Sequence, residues 1–213
     1  MTDSIKRKGI ERLPVLGNRL YAGRLEAELQ KATRELATRA PSITVESMLG
    51  LVTGYRDNRR YDAALALCDI VESIDSTNTS AHYLAGTVHE RIGALTEALD
   101  LYKSAGRGTS AQEGVRRVEK GIQERVDKAK ELRDSKKTDD CITYCTGVLE
   151  EDHRNVAVRY FLATAYESKA NLEAAKEQFG IILAANPKYT SARAGYDRVE
   201  VSLETEKCMK IDK

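Results

Sequence analysis

The sequence predicts an all-α solenoid: helix pairs stacked in a row, with a capping helix closing each group. Three observations carry this. One residue pattern recurs at a spacing of 34, and a fixed period of 20–50 residues is the signature of stacked supersecondary units. Only three prolines occur in 213 residues, and none falls between Pro41 and Pro187, so that interval is free to be helical. Hydrophobic residues are 41% and charged residues 31%, which suits a soluble helical chain with wide solvated faces.

Residues 1–17 are polar and basic, with Gly9, Pro14 and Gly17, and hold no core of their own. Over residues 1–24, Lys6, Arg7, Lys8, Arg12, Arg19 and Arg24 stand against Asp3 and Glu11. This tail has three readings: a disordered terminus, an arm that orders on an acidic protein surface, or a transit peptide, which Asp3 and Glu11 disfavour. Residues 18–40 follow as an amphipathic segment, with a helix over about Asn18–Thr38. Leu25, Leu29, Ala32 and Leu36 form its apolar stripe, flanked by Glu26, Glu28, Lys31, Arg34 and Glu35. Asn18 serves as N-cap. Pro41 and Ser42 separate the helix from the repeats, and its natural place is packed on the first of them.

The first module spans 45–121. Its first repeat, 45–78, places Leu51 and Tyr55 on one helix and Tyr61, Ala64, Leu65, Cys68 and Val71 on the next. The polar run Arg56–Arg60 is the turn between them. The second repeat, 79–108, carries Ala85, Gly86, His89, Leu95, Ala98, Tyr102 and Ala105, with Gly93 in the turn. A cap at 109–121 follows. The second module spans 122–208. Its repeats are 122–155, with Ala129, Leu132, Cys141, Cys145, Val148 and Leu149, and 156–189, with Leu162, Ala163, Tyr166, Leu172, Ala175, Phe179, Ile182 and Pro187. Its cap is 190–208.

The two caps share a signature. Thr109-Ser110-Ala111, Gly114 and Arg117-Val118-Glu119 return as Thr190-Ser191-Ala192, Gly195 and Arg198-Val199-Glu200. A terminal repeat needs a helix with one polar face to close its exposed core. Val115, Val118, Ile122, Val126, Ala129 and Leu132 continue a helical stripe from the first cap into the third repeat. One helix over about 109–135 is therefore expected, and a break near Gly121 is the alternative. Aligned on the caps, the second repeat lacks four residues, about one helical turn.

These residues resemble the tetratricopeptide repeat (TPR) family. Its pattern is Trp-x-x-Leu-Gly-x-x-Tyr, then Gly-x-Tyr-x-x-Ala, then Phe-x-x-Ala and a late Pro. The matches are Leu162, Ala163, Tyr166, Ala175, Phe179 and Pro187 in the fourth repeat, and Gly86, Gly93, Ala98, Tyr102 and Ala105 in the second. The third repeat departs from the pattern, with Lys128 in place of the leucine and Thr138 in place of an aromatic. The resemblance covers about two-thirds of the chain.

The resemblance implies four repeats with caps and a concave face that binds a protein or peptide. It places repeat positions 2, 5, 9 and 12 on that face. They are Glu46, Leu49, Thr53 and Arg56; Ser80, Tyr83, Thr87 and Glu90; Gln123, Val126, Lys130 and Arg133; and Ala157, Tyr160, Thr164 and Glu167. Tyr83, Thr87 and Glu90 recur as Tyr160, Thr164 and Glu167, each set at i, i+4 and i+7 on one helix face. Tyrosine offers apolar area plus a hydroxyl, a common binding anchor. The plainer reading is ancestral duplication with solvated side chains.

Some TPR domains clamp the acidic tail of a heat-shock chaperone with Lys, Arg and Asn, since a carboxylate needs several such donors converging on it. The corresponding positions here are Leu49, Thr53, Leu84, Gln123 and Asp127. Starting one repeat later gives Tyr83, Thr87, Asp127, Ala157 and Phe161. Neither set is a carboxylate clamp.

Other chemistry finds no frame. Net charge is +1, which argues against general nucleic-acid binding. No apolar run approaches 18 residues, so no membrane-spanning helix is expected, and the N-terminus lacks a signal-type apolar core. Four cysteines are too sparse for a disulfide framework. Cys68, Cys141 and Cys145 read as inward-packing thiols of a reducing compartment. His82, His89 and Glu90 lack a metal-binding frame. Cys141 and Cys145 have only His153 nearby, one ligand short of a zinc set. No phosphate loop, nucleophile elbow or Cys/His catalytic signature is present, and no cofactor is implied.

The sequence therefore points to a non-catalytic adaptor or scaffold in the cytosol or an intracellular assembly, binding through the concave face. The alternative is a structural subunit of a ciliary, trafficking or chaperone-linked assembly, held by its convex face, its long helix and the basic tail.

Overall fold

The computed structural model describes residues 44–211, with side chains through Met209. The basic tail and the helix expected over residues 18–40 lie outside the described residues. Within them the chain forms nine helices and no strand. These are α1 (Val45–Asp57), α2 (Tyr61–Ile74), α3 (Thr79–Arg91), α4 (Leu95–Ser104), α5 (Thr109–Asp134), α6 (Thr138–Glu151), α7 (Val156–Ser168), α8 (Leu172–Ala185) and α9 (Thr190–Ile211). Consecutive helices pair through short turns, α1 with α2, α3 with α4, α5 with α6 and α7 with α8.

Each pair turns in the same way. The turn residues Arg59 (φ 57°), Gly93 (φ 85°), Lys136 (φ 56°) and Ala170 (φ 55°) are all left-handed. The next amide in each case reaches back over the turn, Arg60 to the Tyr55 carbonyl at 2.8 Å and Ala94 to His89, Lys137 to Leu132 and Asn171 to Tyr166 at 3.0 Å. These bonds satisfy carbonyls that the first helix of the pair leaves open at its end. The polar turn expected over Arg56–Arg60 is shorter, because α1 runs on to Asp57.

The starts of the first helices are capped by side chains. Thr44 accepts from the Ser47 amide at 3.2 Å, Asn78 from Ala81 at 3.0 Å and Asn155 from Val158 at 3.1 Å. A cap of this kind contributes about 1 kcal/mol. Asp75 and Asp152 brace the two asparagines, accepting from their amide groups at 3.4 and 3.1 Å.

α5 is continuous through Gly114 and Gly121, 26 residues or about 40 Å, so the break considered at Gly121 does not occur. α4 has 10 residues where α2, α6 and α8 have 14. That is the turn missing from the second repeat. α4 ends into Gly106 (φ 91°), and α5 starts at Thr109.

The chain divides into two compact units between Val118 and Glu119, inside α5. In unit 1, Val52, Ala64, Leu67, Cys68, Ala85 and Val88 form a core. In unit 2, Ala129, Cys141, Cys145, Val158 and Leu162 form one cluster, and Ala175, Phe179, Ile182, Ala192 and Val199 another. Cys68, Cys141 and Cys145 are buried, and Cys208 is exposed on α9. Burial pushes the Cys68 thiol up to about 12, and it raises Cys141 and Cys145 as well. Thiols held neutral in this way act as small apolar core groups.

Candidate functional site

Glu90 and Glu167 each hold a capping helix. In unit 1 the Glu90 carboxylate accepts from both sides. Tyr102 Oη donates to Oε2 at 2.6 Å, and the Arg117 guanidinium pairs with both oxygens, Nη2 lying 2.7 Å from Oε2. In unit 2, Arg198 Nε and Nη2 meet Glu167 Oε1 and Oε2 at 3.0 Å each. A planar guanidinium matched to a carboxylate by two bonds fixes orientation as well as distance. The ion pairs therefore join α3 to α5 and α7 to α9.

The glycine of each cap signature explains why these helices come so close. A Cβ at Gly114 would stand 2.8 Å from the Tyr102 ring, and one at Gly195 would overlap Phe179. Tyr102 and Phe179 are fully buried. Only a residue without a side chain lets the cap lie on the ring.

Burial works to raise the Glu90 carboxyl, but the bonds from Arg117 and Tyr102 outweigh it and hold it below its ordinary value. Burial and then the bond to Glu90 raise the Tyr102 phenol. The pair with Glu167 raises Arg198.

The threonines and arginines serve neighbouring helices. Arg56 Nη1 donates to Thr87 Oγ1 at 3.3 Å, tying α1 to α3, while its Nε donates to Asp57 at 2.9 Å. Asp57 also lies 3.7 Å from Arg91. Thr87 and Thr164 donate to carbonyls of their own helices, Leu84 at 2.7 Å and Phe161 at 2.9 Å. Arg133 pairs with Asp134 at 2.7 Å and lies 4.8 Å over the Phe161 ring. Leu49 is half-buried and Lys130 exposed.

The tyrosines are fixed by their rings. Tyr83 tilts against Tyr102 with centroids 5.7 Å apart. Tyr160 sits among Phe161, Phe179 and Tyr189 at 5.9–6.0 Å. Both are half-buried. Neither hydroxyl makes a hydrogen bond among the described residues. Each unit thus carries an ordered tyrosine and a threonine on one first helix, α3 or α7, and an arginine on the preceding first helix, α1 or α5.

Among the positions weighed for a carboxylate clamp, Thr53 donates to the Leu49 carbonyl at 3.2 Å, and the Gln123 amide is held by Asp127 at 2.9 Å. Among the described residues no group of three metal-ligating side chains converges, and no helix is long and apolar enough to cross a membrane. A shallow depression of about 490 Å³ between α8 and α9, lined by Glu173, Lys176, Glu177 and Tyr196 among others, contains none of the expected partner-face residues.

Sequence reasoning missed Arg117 and Arg198. Their signal was present, because the same arginine recurs in both caps and the same glutamate in both preceding first helices.

No family model matches the chain, and no curated protein matches it. Solved structures of TPR proteins resemble it at low identity. YrrB, a TPR protein with an unusual peptide-binding site, is 17% identical, with 83% of this chain and 84% of that one covered and a TM-score of 0.35. TTC0263, a thermophilic TPR protein of Thermus thermophilus, is 18% identical over 74% of this chain and 100% of its own, with a TM-score of 0.34. The TPR2AB domain of yeast Sti1 in a pHSP90 complex is 12% identical over 96% and 86%, with a TM-score of 0.37. Superpositions this loose transfer no residue role, so the site stands on this chain's own geometry.

Proposed function

We propose that the protein is a non-catalytic adaptor that holds a protein or peptide partner on the first helices of its repeats, with an equivalent face in each unit. The observation that carries this is the pair Tyr83 and Tyr160. Their rings are locked by internal aromatic contacts, while their hydroxyls make no hydrogen bond among the described residues. A side chain already held in one rotamer loses little entropy when a partner arrives. Arg56, Thr87, Arg133 and Thr164 flank the tyrosines as polar contacts, and exposed Lys130 adds a cation. Glu90 and Glu167 contribute indirectly, by fixing the helices that carry the tyrosines. Three buried thiols favour a reducing, intracellular setting, the cytoplasm included.

The test starts from partners captured by the full chain and identified by mass spectrometry. Affinity for a purified partner is then compared between wild type, Tyr83→Phe/Tyr160→Phe and Lys130→Glu. The phenylalanines keep the ring packing and remove two hydroxyls, so weakening of about tenfold is expected at unchanged melting temperature. A Glu177→Lys control on α8 should bind as wild type does. Equal affinity for all variants would place the binding site elsewhere.

A further inference from the structure

The two tyrosines of the partner face are not equally enclosed. Phe161 and Phe179 meet the Tyr160 ring edge-on at 6.0 Å. Tyr189, in the turn before α9, stacks on it at 5.9 Å with the planes 30° apart. In unit 1 the residue corresponding to Phe179 is Tyr102, which meets Tyr83 at 5.7 Å, and the one corresponding to Phe161 is half-buried Leu84. The residue corresponding to Tyr189, immediately before the Thr-Ser-Ala of the cap, is Gly108. It is exposed, and a Cβ built on it would meet no other part of the described chain within 4 Å. Tyr102 is the only ring that Tyr83 touches among the described residues. The shortened α4 and the run Gly106-Arg107-Gly108 therefore leave Tyr83 without the stacked ring that Tyr160 has.

We propose that unit 1 takes an aromatic side chain of an acidic peptide segment beside Tyr83, in the place that Tyr189 fills beside Tyr160. This rests on the reading of Tyr83 as a partner anchor, and it names what the anchor holds. The chemistry of the occupant follows from unit 2, where a ring of this kind stacks on the equivalent tyrosine. Offset stacking matches the negative face of one π-system to the positive edge of another, a match that an aliphatic side chain does not offer. The charge of the segment follows from Arg107. It adjoins Gly108, is exposed and makes no ion pair among the described residues. A carboxylate next to the incoming ring would give it a charge-assisted partner. Around this turn the exposed cations Lys103 and Arg107 outnumber the exposed acid Glu113. Glu90, on the helix that carries Tyr83, is already neutralised by Arg117. An entering ring also finds Tyr83 fixed against Tyr102, so little side-chain freedom is lost on binding.

Fluorescence titration of the full chain tests this. The chain has no tryptophan, so the indole of a probe peptide reports alone. The probe is a short glycine–serine peptide with one tryptophan between two glutamates. The same peptide with leucine in place of tryptophan should compete about fivefold more weakly. Gly108→Tyr builds into unit 1 the residue that unit 2 carries, and its ring should occupy the place and weaken the probe about tenfold or more. Gly108→Ala leaves the place open and should bind as wild type does. Arg107→Glu should weaken the probe about threefold. The proposal is overturned if the probe does not bind wild type, if the leucine peptide competes equally, or if Gly108→Tyr or Arg107→Glu keeps wild-type affinity. The leucine comparison uses wild type alone, so it decides even if Gly108→Tyr lowers the melting temperature. The captured partner separates this proposal from the wider reading. If its affinity falls in Tyr83→Phe/Tyr160→Phe but not in Gly108→Tyr, the partner face stands and the aromatic place beside Tyr83 does not. If neither variant responds, both fall.

Discussion

The two units dock their caps in the same way but differ at two places, the buried ring and the small residue facing it on the first helix. In unit 1 the Tyr102 ring lies against Gly86 on α3 and Gly114 on α5, and its hydroxyl donates to Glu90. In unit 2 the ring is Phe179, the residue corresponding to Gly86 is Ala163, and no hydroxyl reaches Glu167. What both retain is the glycine under the ring and the carboxylate–guanidinium pair. Those parts position the cap, and the phenol hydroxyl is an addition peculiar to unit 1. The identity of Glu90 with Glu167 therefore has a structural cause, separate from any partner.

The glycine contact should give the largest effect. Gly195→Ala forces a methyl into Phe179, a ring with no room to retreat, and overpacking of this kind costs about 1–3 kcal/mol. The substitution also gains about 1 kcal/mol of helix propensity. With the overpacking cost at its upper end of about 3 kcal/mol, because the added methyl would overlap the ring, a net loss of about 2 kcal/mol is expected by denaturant titration, with faster hydrogen exchange along α9. Gly147→Ala is the matched control. No atom lies within 4 Å of its Cβ, so only the propensity gain should appear. Equal gains at both positions would refute close docking of the cap.

Tyr102→Phe makes the unit 1 clamp resemble that of unit 2. It removes a charge-assisted bond to a half-buried carboxylate and should cost about 1–2 kcal/mol near neutral pH. The cost should also depend on pH. The Glu90 carboxyl is lowered in the folded state from an ordinary 4.5. Its contribution is thus complete above that value and is lost as pH falls through the lower folded one. Thermal unfolding should show the difference between wild type and variant shrinking as the solution is acidified below pH 4.5. A difference independent of pH would mean that the hydroxyl acts through packing alone.

Much of the architecture was legible because it repeats. The period located all four pairs, the missing turn at Ala105–Gly108 and the helix running through Gly121. Both halves of the clamp were visible as repeated residues, Glu90 with Glu167 and Arg117 with Arg198. What a periodic pattern does not contain is the pairing between them, since it relates equivalent positions and the clamp joins different ones. The tyrosines were legible as a shared face, but their ring contacts depend on the approach of α4 and α8. The cap glycines looked like weak points in a helix. They turn out to be the places where a buried ring requires the space.

The turn between helices of a pair offers the smallest and cleanest comparison. Gly93 in unit 1 and Ala170 in unit 2 occupy the same place, and both have positive φ, 85° and 55°. A side chain in this region costs about 1 kcal/mol or slightly more through the clash of Cβ with the backbone, and glycine is exempt. Glycine also loses more freedom on folding, which offsets part of the gain. Ala170→Gly should therefore raise the stability of unit 2 by about 0.5–1 kcal/mol, and Gly93→Ala should lower that of unit 1 by a similar amount. Because Ala170 is exposed at the turn, neither packing nor charge enters the comparison. Opposite signs at the two positions would isolate the backbone term. If Ala170→Gly destabilises instead, the freedom gained by the unfolded chain outweighs relief of the turn, and the alanine in unit 2 is no concession.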